Sequence, residues 1–517
     1  MNKPMLPDHL SENGWLKWSG LLLGPLLAVV VVACLPTQYA DAAGVTRPFD
    51  WAGRATLGVM VWMGLWWLTE AVEISVTALL PIVMFPLLGA TTAHEACFPY
   101  ADPLIFLYFG GFILALSMER WGLGRRIALL TLRTMGTSAR AMVAGFMLVT
   151  AVLSAFVSNT ATTAMMLPIA LSVIGLLQRQ CDEQPELKPA VSRFATCLLL
   201  AVAYSASVGG VMTIIGTPTN TFLVGFLKDS IAPEYRIEFS FAGWLPIGVS
   251  FAAIFLPTMY WILTRMLFPI QGIELTGGRS MVDRELRSLG KMSVGEWNTL
   301  VVFVTTVSLW LFRPLLVRWH FEWSGESYQP LAHLSDTIVA MGAAMLLFLT
   351  PVCRKPLRFT MDWHTASKMP WGILFLFGGG LSLAAAVQAG GVAEFIGSQA
   401  VGLAMLPPLV LVLLATTTVV FLTELTSNAA TTASLVPVLA ALGPGIGVHP
   451  YLLVIPATVA ASCAFMLPVA TPPNAIVFGS GRITTSQMVR AGFSLNLVAI
   501  GLVMLLTWCV VKPWLGI

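Results

Sequence analysis

Four short segments of this chain set hydroxyl and amide side chains inside otherwise apolar sequence. Ser158-Asn159-Thr160-Ala161-Thr162-Thr163 is nearly repeated by Ser427-Asn428-Ala429-Ala430-Thr431-Thr432. Gly216-Thr217-Pro218-Thr219-Asn220 and Ala470-Thr471-Pro472-Pro473-Asn474 form a second matched pair. None of the four contains Lys, Arg, His, Asp or Glu. Ser and Asn accept hydrogen bonds from the free N–H groups of a helix start, so each Ser-Asn element should cap the helix that follows it. Pro218 and Pro472 suit the first turn of a helix that resumes after a break. Four helix N-termini would then converge, each carrying roughly half a positive charge. The unwound carbonyls and side-chain oxygens beside them suit a bare monovalent cation. Together these groups fit an anion carried with sodium and neutralised by dipoles and bound cations.

A lone Ser or Thr in a membrane helix more often bonds the preceding turn or packs helix against helix. The functional reading rests on four such segments duplicated in register. Glu424, one turn before Ser427, is the one acid at the depth of these segments. It serves either function, as intramembrane acids commonly do, or the cohesion of its segment through hydrogen bonds. Glu70, Glu73 and Glu119 fall at helix ends, and tryptophans such as Trp62, Trp66 and Trp67 suit an interfacial belt or a subunit contact. An enzyme would need paired acids, a His cluster or an activated nucleophile, and the pattern offers none. The seven cysteines are scattered without a CxxC pair and read as small apolar residues.

The elements that must position these groups follow from composition. The 517 residues are 57% hydrophobic and 10% charged, far below the roughly 25% charged residues of a soluble chain. Thirteen apolar stretches, several near the roughly 20 residues that span a bilayer, run from 19–36 to 491–511. Two of them, 141–178 and 406–442, are too long for one ordinary span. Arginines and lysines flank 141–178 at both ends, whereas 388–405 and 443–450 hold neither. By the positive-inside rule the first enters and leaves from the cytoplasmic face and the second from outside. Eleven single crossings remain, with the N-terminus inside and the C-terminus outside. Of 28 Lys and Arg, only Arg47, Arg54, Lys228, Arg236, Arg313, Arg318 and Lys512 then lie outside. Charge parity does not distinguish a hairpin that crosses twice from one that stops halfway.

The repeats are inverted. Ser158 and Ser427 lie 269 positions apart, and Asn220 and Asn474 lie 254 apart. "YFGGFILAL" (108–116) and "LFGGGLSLA" (376–384) precede them in the same order. Matched motifs with opposite sidedness are the architecture of secondary transporters. The expected organisation is a tail and first helix at 1–54, one repeat at 55–270, a cytoplasmic linker at 271–297 and a second repeat at 298–517.

These motifs, with "ASCAFMLPVATPPNAIV" (461–477) and "WWLTEAVEISVTALLPI" (66–82), resemble the divalent anion/sodium symporter family of dicarboxylate, citrate and sulfate carriers. The resemblance implies an all-α polytopic membrane protein with eleven transmembrane helices and two re-entrant hairpins. It also implies a homodimer in the cell (inner) membrane, working by an elevator motion of a transport domain against a scaffold. By motif position one sodium would take Ser154, Ser158, Asn159 and Gly216, and the other Thr423, Ser427, Asn428 and Ala470. The anion would meet Ser158, Asn159, Thr160, Thr217, Ser427, Asn428 and Thr471. The expected activity is sodium-coupled uptake of a C4-dicarboxylate such as succinate, fumarate or malate. The alternatives are sulfate, citrate or another anion, or sodium-independent exchange. The second motif reads Ser-Asn-Ala, so Ala429 withholds a hydroxyl where the family pattern has Thr.

Overall fold

The computed structural model describes residues 14–40, 45–136, 138–183, 185–270, 278–323 and 326–517. Part of the expected linker (271–277) and the first 13 residues lie outside that set. Apolar surroundings require every backbone N–H and C=O to be bonded within the chain, which favours helices. The described residues are accordingly mainly helical, joined by turns and loops and with three short antiparallel strand pairs such as Pro351–Arg354 with Leu357–Phe359.

Among the described residues, eight helices are long and apolar enough to cross a membrane: Trp15–Cys34, Ala93–Arg120, Asn159–Gln180, Lys188–Val211, Phe241–Leu267, Val294–Leu316, Trp371–Ala389 and Thr485–Leu515. Five further apolar helices are shorter, among them Ala139–Ser154, Pro408–Leu422 and Tyr451–Ala461. At 1.5 Å per residue the 16 residues of Ala139–Ser154 and the 15 of Pro408–Leu422 reach only about 22–24 Å. A bilayer's hydrocarbon core is about 30 Å thick.

The breaks fall at the polar segments. The stretch read as 141–178 consists of Ala139–Ser154, a four-residue turn and Asn159–Glu183, here called the first hairpin. The stretch 406–442 consists of Pro408–Leu422 and Asn428–Gly445, the second hairpin. Lys188–Val211 is interrupted before Pro218–Gly225, and Tyr451–Ala461 before Pro472–Phe478. These are the first and second broken spans.

Packing crosses between the repeats. The short helix Pro472–Phe478 lies against Asn159–Glu183 and Lys188–Val211, while Pro218–Gly225 lies against Asn428–Gly445 and Tyr451–Ala461. Each repeat's half-helix therefore supports the other repeat's hairpin. Within Lys188–Val211 every residue from Phe194 to Val211 is buried, which places this part of the helix at the centre of the core. The expectation for tryptophan needs one correction: Trp67 is fully buried, its indole N–H donating to the Ile74 carbonyl. It packs inside rather than at an interfacial belt.

Candidate functional site

The tip of the first hairpin is built around an oxygen cluster. Ser154 Oγ lies 2.6 Å from Asn159 Oδ1 and 2.8 Å from the Ala206 carbonyl of the first broken span. A hydroxyl has one proton, so three oxygens share one hydrogen. The second hairpin repeats the arrangement: Thr423 Oγ1 lies 2.7 Å from Asn428 Oδ1 and 2.9 Å from the Ala461 carbonyl. In both, a hydroxyl ends the incoming helix and an amide five residues later opens the outgoing one. Both pairs consist of residues that the family resemblance implies as sodium ligands.

Two adjacent glycines make the first cluster possible. A Cβ at Gly209 would lie 2.3 Å from the Ala151 carbonyl, and one at Gly210 would lie 2.6 Å from Asn159 Oδ1. The broken span therefore touches the hairpin backbone directly. Gly216 joins the same place, since a Cβ there would come within 2.4 Å of the Gly210 carbonyl and 3.1 Å of the Ala155 carbonyl. The positions equivalent to Gly209 and Gly210 in the second span are Cys463 and Ala464, so this approach is not repeated.

A carboxylate holds the second half instead. Glu424 is 3% exposed. Its Oε1 accepts from Phe465 N at 2.7 Å, Met466 N at 2.9 Å and Asn496 Nδ2 at 2.7 Å. Its Oε2 accepts from Met466 N at 3.0 Å and Leu467 N at 3.1 Å. These are the N–H groups freed where the second span unwinds. The question the sequence left open about Glu424 is answered at the structural level: it clasps its hairpin to that unwound loop and to the helix Thr485–Leu506. The equivalent residue of the first hairpin is Ala155, whose carbonyl accepts from the Thr213 hydroxyl.

Two further asparagines complete the loops. Asn220 Nδ2 donates to the carbonyls of Val211 at 3.0 Å and Thr213 at 2.9 Å. Asn474 Nδ2 donates to those of Ala464 at 3.2 Å and Leu467 at 3.0 Å. Both are fully buried, and each secures the carbonyls that its interrupted helix leaves free. The signal that could have found them is their shared place two residues after Pro218 and Pro472. The two spans meet where Thr219 Oγ1 lies 3.0 Å from Ser462 Oγ.

Capping divides between the halves. Ser158 Oγ accepts from Ala161 N at 3.2 Å, as expected, but Ser427 makes no side-chain cap bond. Thr471 accepts from Asn474 N at 3.3 Å, whereas Thr217 makes no cap bond. The expectation that both Ser-Asn elements act as caps therefore holds only for the first; Ser427 and Thr217 leave their helix starts uncapped by their own side chains. Ser158 and Thr160 are exposed, Asn159, Ser427 and Asn428 are half-buried, and Thr217, Thr471, Gly216 and Ala470 are buried. Leu425 and Val469, 74% and 83% exposed, flank the second tip and mark an open face beside it.

Residues 18–516 match the family model described as the sodium:sulfate symporter transmembrane region. The chain is 40% identical over 503 residues to the sodium-dependent dicarboxylate transporter SdcS of Staphylococcus saprophyticus, covering 96% of this chain and 92% of that one. It is 37% identical over 499 residues to SdcS of Staphylococcus aureus strain USA300, with the same coverage. In fold it is similar to the YdaH transporter of Alcanivorax borkumensis (TM-score 0.60, 14% identity, 98% of each chain). It is also similar to MtrF of Neisseria gonorrhoeae, with a TM-score of 0.58, 12% identity, and 98% and 95% of the two chains covered. The duplicated oxygen clusters thus sit in a chain that belongs to the sodium:sulfate symporter family.

Proposed function

We propose that the protein is a sodium-coupled symporter that carries C4-dicarboxylates such as succinate, fumarate or malate into the cell. The observation that carries this reading is the duplicated hydroxyl–amide–carbonyl cluster, Ser154–Asn159–Ala206 and Thr423–Asn428–Ala461. The names of the relatives support the cargo and the ion.

Each cluster holds a sodium ion when the shared hydroxyl proton turns aside and the three oxygens face the ion. Gly216 and Ala470 add the backbone oxygens of their unwound loops, and Ser158 and Ser427 close the hairpin side. The anion lies between the tips and meets Ser158, Asn159, Thr160, Thr217, Ser427, Asn428 and Thr471. With no basic side chain in the four segments, its charge is balanced by bound sodium and free N–H groups. Two unit charges about 4 Å apart attract by about 4 kcal/mol at an effective dielectric near 20. Each bound sodium therefore raises anion affinity steeply. That linkage is the coupling.

Short helices that do not reach across a bilayer support re-entrant hairpins among eleven crossings. The cross-packed half-helices support a transport body that moves as a unit against the helices of 51–120 and 294–389, as an elevator in a homodimer of the inner membrane. The N-terminus is then cytoplasmic and the C-terminus external. Succinate uptake into proteoliposomes, with and without an inward sodium gradient, tests the proposal. Accumulation without sodium refutes the coupling. Competition by citrate or sulfate as strong as that by fumarate refutes the cargo.

A further inference from the structure

The two halves share a backbone plan but not a charge. Glu424 adjoins Thr423, the hydroxyl of the second cluster, and the equivalent neighbour of Ser154 is Ala155. Among the described residues, the polar groups that hydrogen-bond to the Glu424 carboxylate are all donors: the N–H groups of Phe465, Met466 and Leu467 and the amide of Asn496. A protonated carboxyl would have to direct its O–H at one of these donors, so the arrangement selects the ionised form. A buried anion thus stands beside one oxygen cluster and is missing from the other.

We infer that Glu424 makes the second hairpin's sodium site the tighter of the two, so that it fills first and empties last. The inference rests on the assignment of the two sodium sites proposed above. Glu424 is a positioning residue. Its carboxylate fixes the unwound loop 465–467, and its charge reaches the neighbouring cation across the space between adjacent side chains. A unit charge within about 10 Å of a cation, at an effective dielectric near 20, changes its affinity on the order of 10-fold. In the first half the matching position is Ala155, whose carbonyl accepts from the Thr213 hydroxyl.

The test is sodium-dependent protection of the full-length purified protein against thermal unfolding, with potassium held in place of sodium to keep ionic strength constant. Ser154→Ala should remove the weaker sodium phase and Thr423→Ala the tighter one. Glu424→Gln should shift the tighter phase about tenfold to higher sodium and leave the weaker phase in place. In proteoliposomes it should raise the half-saturating sodium for succinate uptake more than it lowers the maximal rate. Asn496→Ala removes one bond of the clasp but keeps the charge, so the tighter phase should stay or tighten. A purely structural clasp predicts instead that Asn496→Ala weakens it as Glu424→Gln does, and that result overturns the inference. Equal weakening of both phases by Glu424→Gln does the same. If neither Ser154→Ala nor Thr423→Ala removes a phase, it is the site assignment that fails.

Discussion

Gly210→Ala tests the first cluster with a single methyl group. The added Cβ would lie 2.6 Å from Asn159 Oδ1, 3.1 Å from its Nδ2 and 3.2 Å from its Cγ. Ordinary contact begins near 3.4 Å, so the amide must retreat by about 0.8 Å or the loop must move. Ser154 Oγ now lies 2.6 Å from that same oxygen, and a retreat of that size takes the pair past hydrogen-bond range. Overpacking of this kind costs about 1–3 kcal/mol. If Asn159 must return to its present place to hold sodium, the cost falls on binding, about 5- to 150-fold in affinity. The assay is the half-saturating sodium for succinate uptake, read beside the thermal midpoint without sodium. The expected result is a rise of at least fivefold in half-saturating sodium with a midpoint near that of the parent. Ala464→Gly is the control, because the second loop already accommodates a Cβ at the equivalent position. It should lower the midpoint slightly and leave the sodium curve in place. Parental sodium dependence and a parental midpoint in Gly210→Ala would refute the close approach of Asn159 and the loop as a determinant of binding.

Asn159→Ala and Asn428→Ala should each abolish uptake while the protein still inserts and elutes as the parent does; normal uptake by both would sink the assignment of the clusters. Asn220→Ala and Asn474→Ala should each cost about 1–3 kcal/mol of stability, because they leave buried carbonyls unpaired, and the check is the thermal midpoint. Ala429→Thr restores the hydroxyl of the motif, and one donor is worth about 1 kcal/mol. It should change the ratio of succinate to citrate inhibition constants by about fivefold, with sodium dependence unaltered. Asp362 accepts from Thr365 N and pairs with Arg120, and these bonds hold its carboxyl below the usual aspartate range. Its contribution is therefore present above the unfolded aspartate pKa, about 3.9, and is lost as pH falls through the lower folded value. Asp362→Asn should cost at most about 1 kcal/mol at pH 7, since the pair is partly exposed. The difference from the parent should close in melts below about pH 3.9.

The breaks in the helices were legible because their causes are local. Ser158, Asn159, Pro218 and Pro472 have chemistry that stops or starts a helix whatever surrounds it, and duplication at a constant offset separates such residues from ordinary membrane serines and threonines. The ligands of Glu424 were not legible. Phe465 and Asn496 lie 41 and 72 positions away, and backbone N–H groups leave no trace in residue type. Trp67 carries the same composition signal as Trp62 and Trp66, and only its packing shows that it is buried. Ser427 fails as a cap although its sequence matches Ser158, because cap geometry depends on how the preceding turn approaches the helix.

The duplication explains why there are two sites, and the departures from it bear on how they differ. Gly209-Gly210 lets the first loop press against its hairpin, and the first half closes by van der Waals approach and neutral hydrogen bonds. The second loop has Cys463-Ala464 in place of the glycine pair, and Glu424 binds it through its carboxylate instead. Both solutions place a hydroxyl, an amide oxygen and a carbonyl in one cluster, so symmetry of geometry is preserved where symmetry of composition is not. Inserting a Cβ challenges the first solution, and neutralising a carboxylate challenges the second. A carrier with two identical sites would respond equally to sodium at both. In this one the two hairpins differ in the physical force that holds each to its loop, so perturbations of contact and of charge should separate them.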